Sequence, residues 1–278
     1  MIDQLAPSSA LRLAGRVALV TGAAQGQGAA YARGLALHGA DVIAIDVCRD
    51  DPVVGYAMGS RSGLDELARF VESCGRSCTT VVADVRDAEA MQTGVDTAVS
   101  AHGHLDVVVA NAGICTSQNW EQVTTEVWDA TIATNLTGAW NTCRVTAPHL
   151  RAAGGGSMIL VSSAAGLRGL PFLLPYVVSK HGVVGLMRAL ANELGPSRIR
   201  VNTIHPGAVD TAMGGGVHAA MAPLLDEHPE FATAFTPALP DAHSQPEDLV
   251  PTVIYLASDD SRFVTGCALT VDAGTVNR

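Results

Sequence analysis

Short apolar runs alternate with helix-length segments along almost the whole chain. Residues 16–21 (RVALVT), 41–46 (DVIAID), 77–83 (SCTTVVA), 105–110 (LDVVVA), 157–161 (SMILV), 199–204 (IRVNTI) and 267–271 (CALTV) each read as a strand. Several are apolar without alternation, the pattern of strands covered on both faces. Helical spacing fills the intervals at 27–38, 61–74, 87–101, 123–150, 173–194 and 246–257. This alternation predicts an α/β fold: a doubly wound parallel sheet with right-handed crossovers and helices on both faces. No repeat, low-complexity tract or Pro/Ser-rich linker divides the chain. Residues 15–278 are therefore expected to form a single domain, preceded by a tail over 1–14.

Composition narrows the class. With 278 residues, 48% apolar and 16% charged, the chain is too oily for disorder and long enough to bury one sizeable core. Seventeen basic against 27 acidic side chains leave a net charge of −10, which argues against nucleic acid or an anionic membrane surface as partner. No apolar run approaches the ~18 residues that would span a bilayer. Residues 1–14 carry Asp3 and lack the apolar stretch of a signal peptide, so a soluble, cytoplasmic protein is expected. The six cysteines show no Cys-x-x-Cys spacing and the histidines no supported His-x-x-x-His pair, so neither disulfides nor a metal is expected.

Candidate chemistry begins where the first strand runs into Thr21-Gly22-Ala23-Ala24-Gln25-Gly26-Gln27-Gly28 and then a helix. Glycines at such a turn let the backbone approach a pyrophosphate, whose charge then rests on the helix N-terminus. Such a string is weak alone, since glycine is abundant here. Asp46, followed by Val47, closes the second strand roughly 20 residues on, where a dinucleotide site needs a carboxylate for the adenosine ribose hydroxyls. Against an NADP 2′-phosphate, that carboxylate would cost on the order of 1–4 kcal/mol at ~4 Å. Gln25 and Gln27 are neutral and offer no compensation, although Arg49 lies close by. NAD is the expected cofactor.

A second constellation lies downstream. Tyr176 and Lys180 stand four apart in a helical stretch, on one face, and Ser163 follows the strand SMILV. Lys180 is the single lysine among the 17 basic residues. An ammonium ~4 Å from a phenol contributes perhaps 4 kcal/mol, about three pKa units before desolvation opposes it. That would bring Tyr176 toward the operating pH of a general base, with Ser163 holding the substrate oxygen.

Taken together these residues resemble the short-chain dehydrogenase/reductase family over residues 15–274. The matching pieces are TGAAQGQG (21–28), Asp84-Val85, Asn111-Ala112-Gly113, Asn135 in TNLTG, Ser163 with YVVSK (176–180), and Pro206 to Thr211. The resemblance implies a Rossmann-like fold, with Asp84 and Val85 on adenine and Asn111, Ala112 and Gly113 on the adenosine side. It further implies Pro206, Val209 and Thr211 around the nicotinamide, and Asn135 holding a water in a proton relay with Tyr176 and Lys180. Ala110 and Ala212 depart mildly from the family's usual Asn and Pro. The implied activity is NAD-dependent interconversion of alcohol and ketone, in a homotetramer. Two other readings stay open: an acyl-carrier-type ketoacyl reductase, and a dinucleotide-binding regulatory protein that has lost catalysis.

A narrower likeness is to the actinobacterial subfamily coupled to the redox peptide mycofactocin, which includes carveol dehydrogenases. It rests on the insertion 47–63 (VCRDDPVVGYAMGSRSG), where roughly two to six residues are usual, and on KHGVVGLMRALANEL and LPDAHSQPEDL. That likeness implies an external redox carrier and an insertion, through Val53, Val54, Tyr56 and Met58, that covers the adenosine edge. Residues 207–246 should form a substrate lid bearing Met213, Met221, Leu224, Leu225, Phe231, Phe235 and Leu239. Its charges are acidic (Asp210, Asp226, Glu227, Glu230, Asp241), and no Lys or Arg occurs between Arg200 and Arg262. A small, neutral, apolar substrate follows from the lack of a local cation.

Overall fold

The computed structural model describes residues 11–240 and 243–278. Seven strands, β1 (Val17–Thr21), β2 (Asp41–Asp46), β3 (Cys78–Val82), β4 (Val107–Ala110), β5 (Gly156–Val161), β6 (Ile199–Pro206) and β7 (Ala268–Val271), form one sheet. Its order is β3-β2-β1-β4-β5-β6-β7, parallel throughout. The chain reverses direction across the sheet between β1 and β4. At such a switch point the connections leave to opposite faces and open a crevice at the carboxyl ends of the strands.

The helices are α1 (Gly26–Leu37), α2 (Arg61–Ser73), α3 (Ala88–His102), α4 (Thr125–Ile132), α5 (Gly138–Ala152), α6 (Leu174–Leu194), α7 (Ala212–Glu227) and α8 (Val250–Ala257). Met91 and Val95 of α3, Cys143 and Leu150 of α5, and Val183 and Met187 of α6 bury one sheet face. Tyr31 and Leu35 of α1, Leu64 and Leu67 of α2, and Val253 and Leu256 of α8 bury the other. The unbroken apolar strands are explained by this double cover. Side-chain caps fix several helix starts: Ser60 accepts from Gly63 N, Asp87 from Glu89 N and Ala90 N, and Thr211 from Gly214 N.

Three features depart from the sequence reading. The helix expected over 123–150 is two helices joined by a π-turn, Ala133–Thr137, whose wider hydrogen bonding the apolar period does not register. Helix α7 was expected only as a lid; three consecutive glycines (Gly214 to Gly216) and Pro223 mask its helical signal. Packing also begins before residue 15. Leu13 is fully buried, its N–H donates to the carbonyl of His38, and Arg12 and Arg16 pair with Asp260 and Asp259. Among the described residues no helix is long and apolar enough to cross a membrane, and no cluster could hold a metal ion.

Candidate active site

The carboxyl ends of β1, β2, β4, β5 and β6 open into a cleft of about 480 Å³. At one end lies the glycine turn. Gly22 and Gly26 have φ of +66° and +53°, the left-handed region. A Cβ on Gly28 would overlap the carbonyl oxygen of Gly22, so only glycine allows the turn to fold this tightly. Asn111 at the end of β4 holds the turn from below, donating from Nδ2 to the carbonyls of Thr21 (2.9 Å) and Gly22 (3.2 Å). Gln25 and Gln27 line the cleft beside it.

Asp46 is 7% exposed, and each carboxylate oxygen accepts one backbone N–H: Ala24 at 3.0 Å and Cys48 at 2.9 Å. Each oxygen therefore keeps a lone pair facing the cleft. The second bond steadies Cys48, whose φ of +52° is costly for a residue with a side chain. A Cβ on Gly59 would sit 2.7–2.8 Å from both oxygens, so the insertion closes directly onto the carboxylate. Asp84 is differently engaged. Burial alone would raise its carboxyl, but bonds from Arg86 and the charge of Arg49 hold it below the usual range. Arg49 is thereby tied to Asp84 at 2.8 Å. Arg86 also reaches Asp51 of the insertion at 2.9 Å.

At the other end, Tyr176 and Lys180 project from the first turns of α6. Lys180 is 3% exposed and donates to the carbonyl of Val161 at 2.8 Å, with Nζ 5.5 Å from the Tyr176 ring centre. Burial lowers its ammonium to about 8. The partly buried Tyr176 moves the opposite way from the sequence expectation. Desolvation raises its phenol, Cys115 and Tyr56 add to the rise, and only the hydrogen-bonding side chain of Ser163 draws it down. The ammonium faces a carbonyl and lies farther from the ring than the ~4 Å assumed, so its attraction does not overcome burial.

Ser163 caps a short turn, its Oγ accepting from Ala165 N at 3.1 Å and hydrogen-bonding the Tyr176 phenol. The fully buried His205 fixes the Ser163 carbonyl at 2.7 Å through Nδ1 and bonds Thr203 through Nε2 at 2.8 Å. Burial lowers the imidazole below its ordinary value. It is neutral, with Nδ1 donating to Ser163 and Nε2 accepting from the Thr203 hydroxyl.

Beyond Tyr176 the cleft turns apolar. Met213, Val217, Met221 and Leu225, four apart along α7, face Leu170, Leu173 and Phe235. Phe231 packs instead on Phe172, and Leu239 is exposed. Asp210, Asp226, Glu227 and Glu230 point to solvent, while Asp241 lies outside the described residues.

One cleft thus collects Gly22, Gln25, Gly26, Gln27, Gly28, Asp46, Val47, Asp84, Val85, Asn111, Ala112, Gly113, Ser163, Tyr176, Lys180, Pro206, Val209 and Thr211. Asn135 stands behind the wall. Its Oδ1 accepts from Ile114 N (2.8 Å), and Nδ2 donates to Ile114 O (2.9 Å) and Ser179 Oγ (3.0 Å). Its side chain is committed to those bonds and does not line the cleft. Sequence reasoning missed Cys115, His205 and Gly59, and took Tyr56 only as apolar cover. A histidine directly before Pro206 was the one available signal, since it stands at a strand's carboxyl end next to a cleft residue.

Comparison with known proteins agrees with this geometry. A family model described as enoyl-(acyl carrier protein) reductase matches residues 22–276. The (−)-trans-carveol dehydrogenase of Rhodococcus erythropolis is 45% identical over 272 residues, 95% of this chain and 98% of that protein. A short-chain dehydrogenase from Mycobacterium paratuberculosis, solved bound to NAD, superposes with a TM-score of 0.94 at 44% identity, covering 96% of this chain and all of that one. Carveol dehydrogenase from Mycobacterium avium, solved with NAD, gives 0.90 at 40% identity over 96% and 99%. The glycine turn, the Ser163–Tyr176–Lys180 cluster and these likenesses agree: the chain belongs to the short-chain dehydrogenase/reductase family.

Proposed function

We propose that this protein is an NAD-dependent dehydrogenase that interconverts a neutral, apolar secondary alcohol, alicyclic or terpenoid in shape, and its ketone. One observation carries the reading: Ser163, Tyr176 and Lys180 meet where the glycine turn and Asp46 give way to the chamber of Met213, Val217, Met221 and Leu225. The residues fit a dinucleotide. The turn has no room for a Cβ at Gly28, and the Asp46 oxygens keep free lone pairs suited to two ribose hydroxyls. Arg49, spent on Asp84, is not free to neutralise a 2′-phosphate.

NAD, when bound, supplies the hydride acceptor for alcohol oxidation and the donor for reduction. Tyr176, held protonated by burial, would give its proton to the ketone oxygen in reduction; in the oxidative direction only its ionised form would take the alcohol proton. Ser163, which hydrogen-bonds the Tyr176 phenol, would turn its hydroxyl to the substrate oxygen. Lys180 places a positive charge beside the phenol and fixes the loop at Val161. Asn135 holds the Ile114 backbone so that the wall beside Lys180 keeps its shape.

The insertion's bonds, Gln25 Nε2 to Ala57 O at 3.1 Å and Arg86 to Asp51, support a cover that slows NAD release. An external carrier of the mycofactocin type then reoxidises the cofactor in place. The test is a panel of secondary alcohols and ketones assayed with NAD, NADP and a dye acceptor, with bound nucleotide measured after dialysis. Turnover on neutral alicyclic alcohols, above that on carboxylates, phosphates and acyl thioesters, is expected. Preference for a charged substrate would overturn the substrate class. Nucleotide-free protein with brisk turnover on free NAD would overturn the carrier. Among the alternatives, the acyl-carrier reading meets a lid whose described charges are all acidic.

A further inference from the structure

The insertion was expected to act at the adenosine edge. Its Tyr56 reaches further, to the opposite end of the cleft. The Tyr56 hydroxyl accepts the backbone N–H of Cys115 at 3.0 Å, and Cys115 packs with Leu173 and Met221 in the wall of the apolar chamber. The face of the Tyr56 ring lies against Gly216 of α7, where a Cβ would come within 2.7–2.8 Å of the ring and its Cβ. Gly215, one residue earlier, has open space at that position, so the close approach belongs to Gly216 alone among these two. Tyr56 therefore stands between the chamber wall at Cys115 and the lid helix.

The loop that carries it is stiff. Val53 N donates to Asp51 Oδ1 (3.2 Å), Met58 N to Asp50 Oδ1 (2.9 Å) and Gln25 to Ala57 O, and Asp51 is anchored on Arg86. A rigid ring on a braced loop transmits its position to what it touches. On one side that is the N-terminal half of α7, which also carries Met213 and Val217.

We propose that Tyr56 is a positioning residue that sets the width of the substrate chamber by spacing the Cys115 wall from α7, and so determines the size of alcohol accepted. This rests on the function proposed above. It adds that the cofactor-side insertion is in direct contact with the substrate lid.

The experiment compares wild type, Tyr56→Phe, Tyr56→Ala, Gly216→Ala and the Tyr56→Ala/Gly216→Ala double variant. Calorimetric affinity for cyclopentanone, cyclohexanone and cyclododecanone is read first, on NAD-loaded protein, and kcat/KM for the matching alcohols second. Tyr56→Ala shifts the large-to-small ratio toward the large ring by about 10-fold or more, the scale of a small change in pocket volume. Gly216→Ala, whose new methyl must push the ring, moves the ratio measurably on its own. Its effect is smaller in the Tyr56→Ala background, where the ring is gone and only the Cβ at 56, 2.8 Å from the new methyl, remains to be displaced. Tyr56→Phe keeps the spacing and shifts the ratio least. An unchanged ratio in folded Tyr56→Ala, or affinities that fall in parallel for all sizes, would overturn the proposal. Ring ketones that bind with the expected ranking but are not turned over would sink the catalytic reading and leave the spacing role standing.

Discussion

Replacing Asp46 by alanine tests two roles at once, and the structure separates their sizes. The carboxylate holds Ala24 N in a buried setting and Cys48 N in a partly exposed one. An orphaned buried donor costs about 1–3 kcal/mol, and the Cys48 N–H recovers part of its loss from water, so about 2–4 kcal/mol of stability should go. At ~2–4 °C per kcal/mol for a domain of this size, Tm falls by roughly 4–16 °C. Separately, loss of the negative charge removes on the order of 1–4 kcal/mol of repulsion toward a 2′-phosphate, a shift of about 10- to 10³-fold in the NADP-to-NAD ratio of kcat/KM. Asp46→Asn keeps one acceptor and should show about half the drop in Tm. Thermal melts and kcat/KM with both cofactors measure both effects. A wild-type Tm in Asp46→Ala would refute the stitching role of the carboxylate. Equal wild-type efficiency with NADP would show that Arg49 leaves Asp84 and overrides it.

Other substitutions probe the catalytic end. Tyr176→Phe should cut turnover by at least ~10²-fold with NAD affinity retained, measured by steady-state kinetics and calorimetry; near-normal rates would remove the general acid–base assignment. Lys180→Arg should fail similarly, because a planar fork cannot occupy the buried slot that points one ammonium at the Val161 carbonyl. Rates within about threefold of wild type in that variant would mean that charge alone is needed there. Shortening 49–60 to a few residues should raise the rate of NAD exchange, read by loss of bound nucleotide on dilution; an unchanged exchange rate would free the insertion of that role.

The sheet was legible because each strand is covered on both faces and carries a continuous apolar run that periodicity registers. The catalytic cluster was legible because a helix places residues four apart on one face, and because arginine serves everywhere else as the general cation. What was not legible depended on long-range placement. Nothing in TNLTG tells that the Asn135 side chain is consumed by Ile114 and Ser179, or that the helix widens there to a π-turn. Nothing in the spacing of Asp84 and Arg49 tells that they pair. The Tyr176 expectation named desolvation without sizing it: the burial of the phenol, and the carbonyl that engages Lys180, outweigh the Coulomb gain taken at an assumed ~4 Å. Tyr56 was visible as an apolar residue in an insertion, but only the fold brings Gly216 and Cys115 to it.

Tyr176 and Lys180 carry opposite shifts, and the pair leaves a signature in stability against pH. Lys180 is lowered to about 8 in the folded chain from 10.5. Below pH 8 both folded and unfolded chains hold its proton, and the penalty for burying the ammonium is fully present. Between pH 8 and 10.5 the unfolded chain binds the proton and the folded one does not, so stability rises with pH across that window. For a fully buried group the rise amounts to about 3 kcal/mol. Tyr176 acts in reverse: above pH 10 the unfolded phenol ionises while the folded one stays protonated, so stability is lost as pH climbs further. Cys115, its thiol pushed up from 9.0 to about 12 by burial, works against the lysine: above pH 9 the unfolded thiol ionises while the folded one stays protonated, so its contribution is lost as pH rises. Denaturant unfolding of wild type and Lys180→Met at pH 7, 8, 9 and 10 isolates the lysine together with the charge it exerts on Cys115 and His205. Wild type should gain about 3 kcal/mol relative to Lys180→Met between pH 7 and 10. Ketone reduction, which needs both the phenol proton and the ammonium, should decline above about pH 8 in the same protein. A stability difference that stays flat from pH 7 to 10 would show that the buried amine is not held as a strained ammonium. The positive charge assigned to it beside Tyr176 would then need another source.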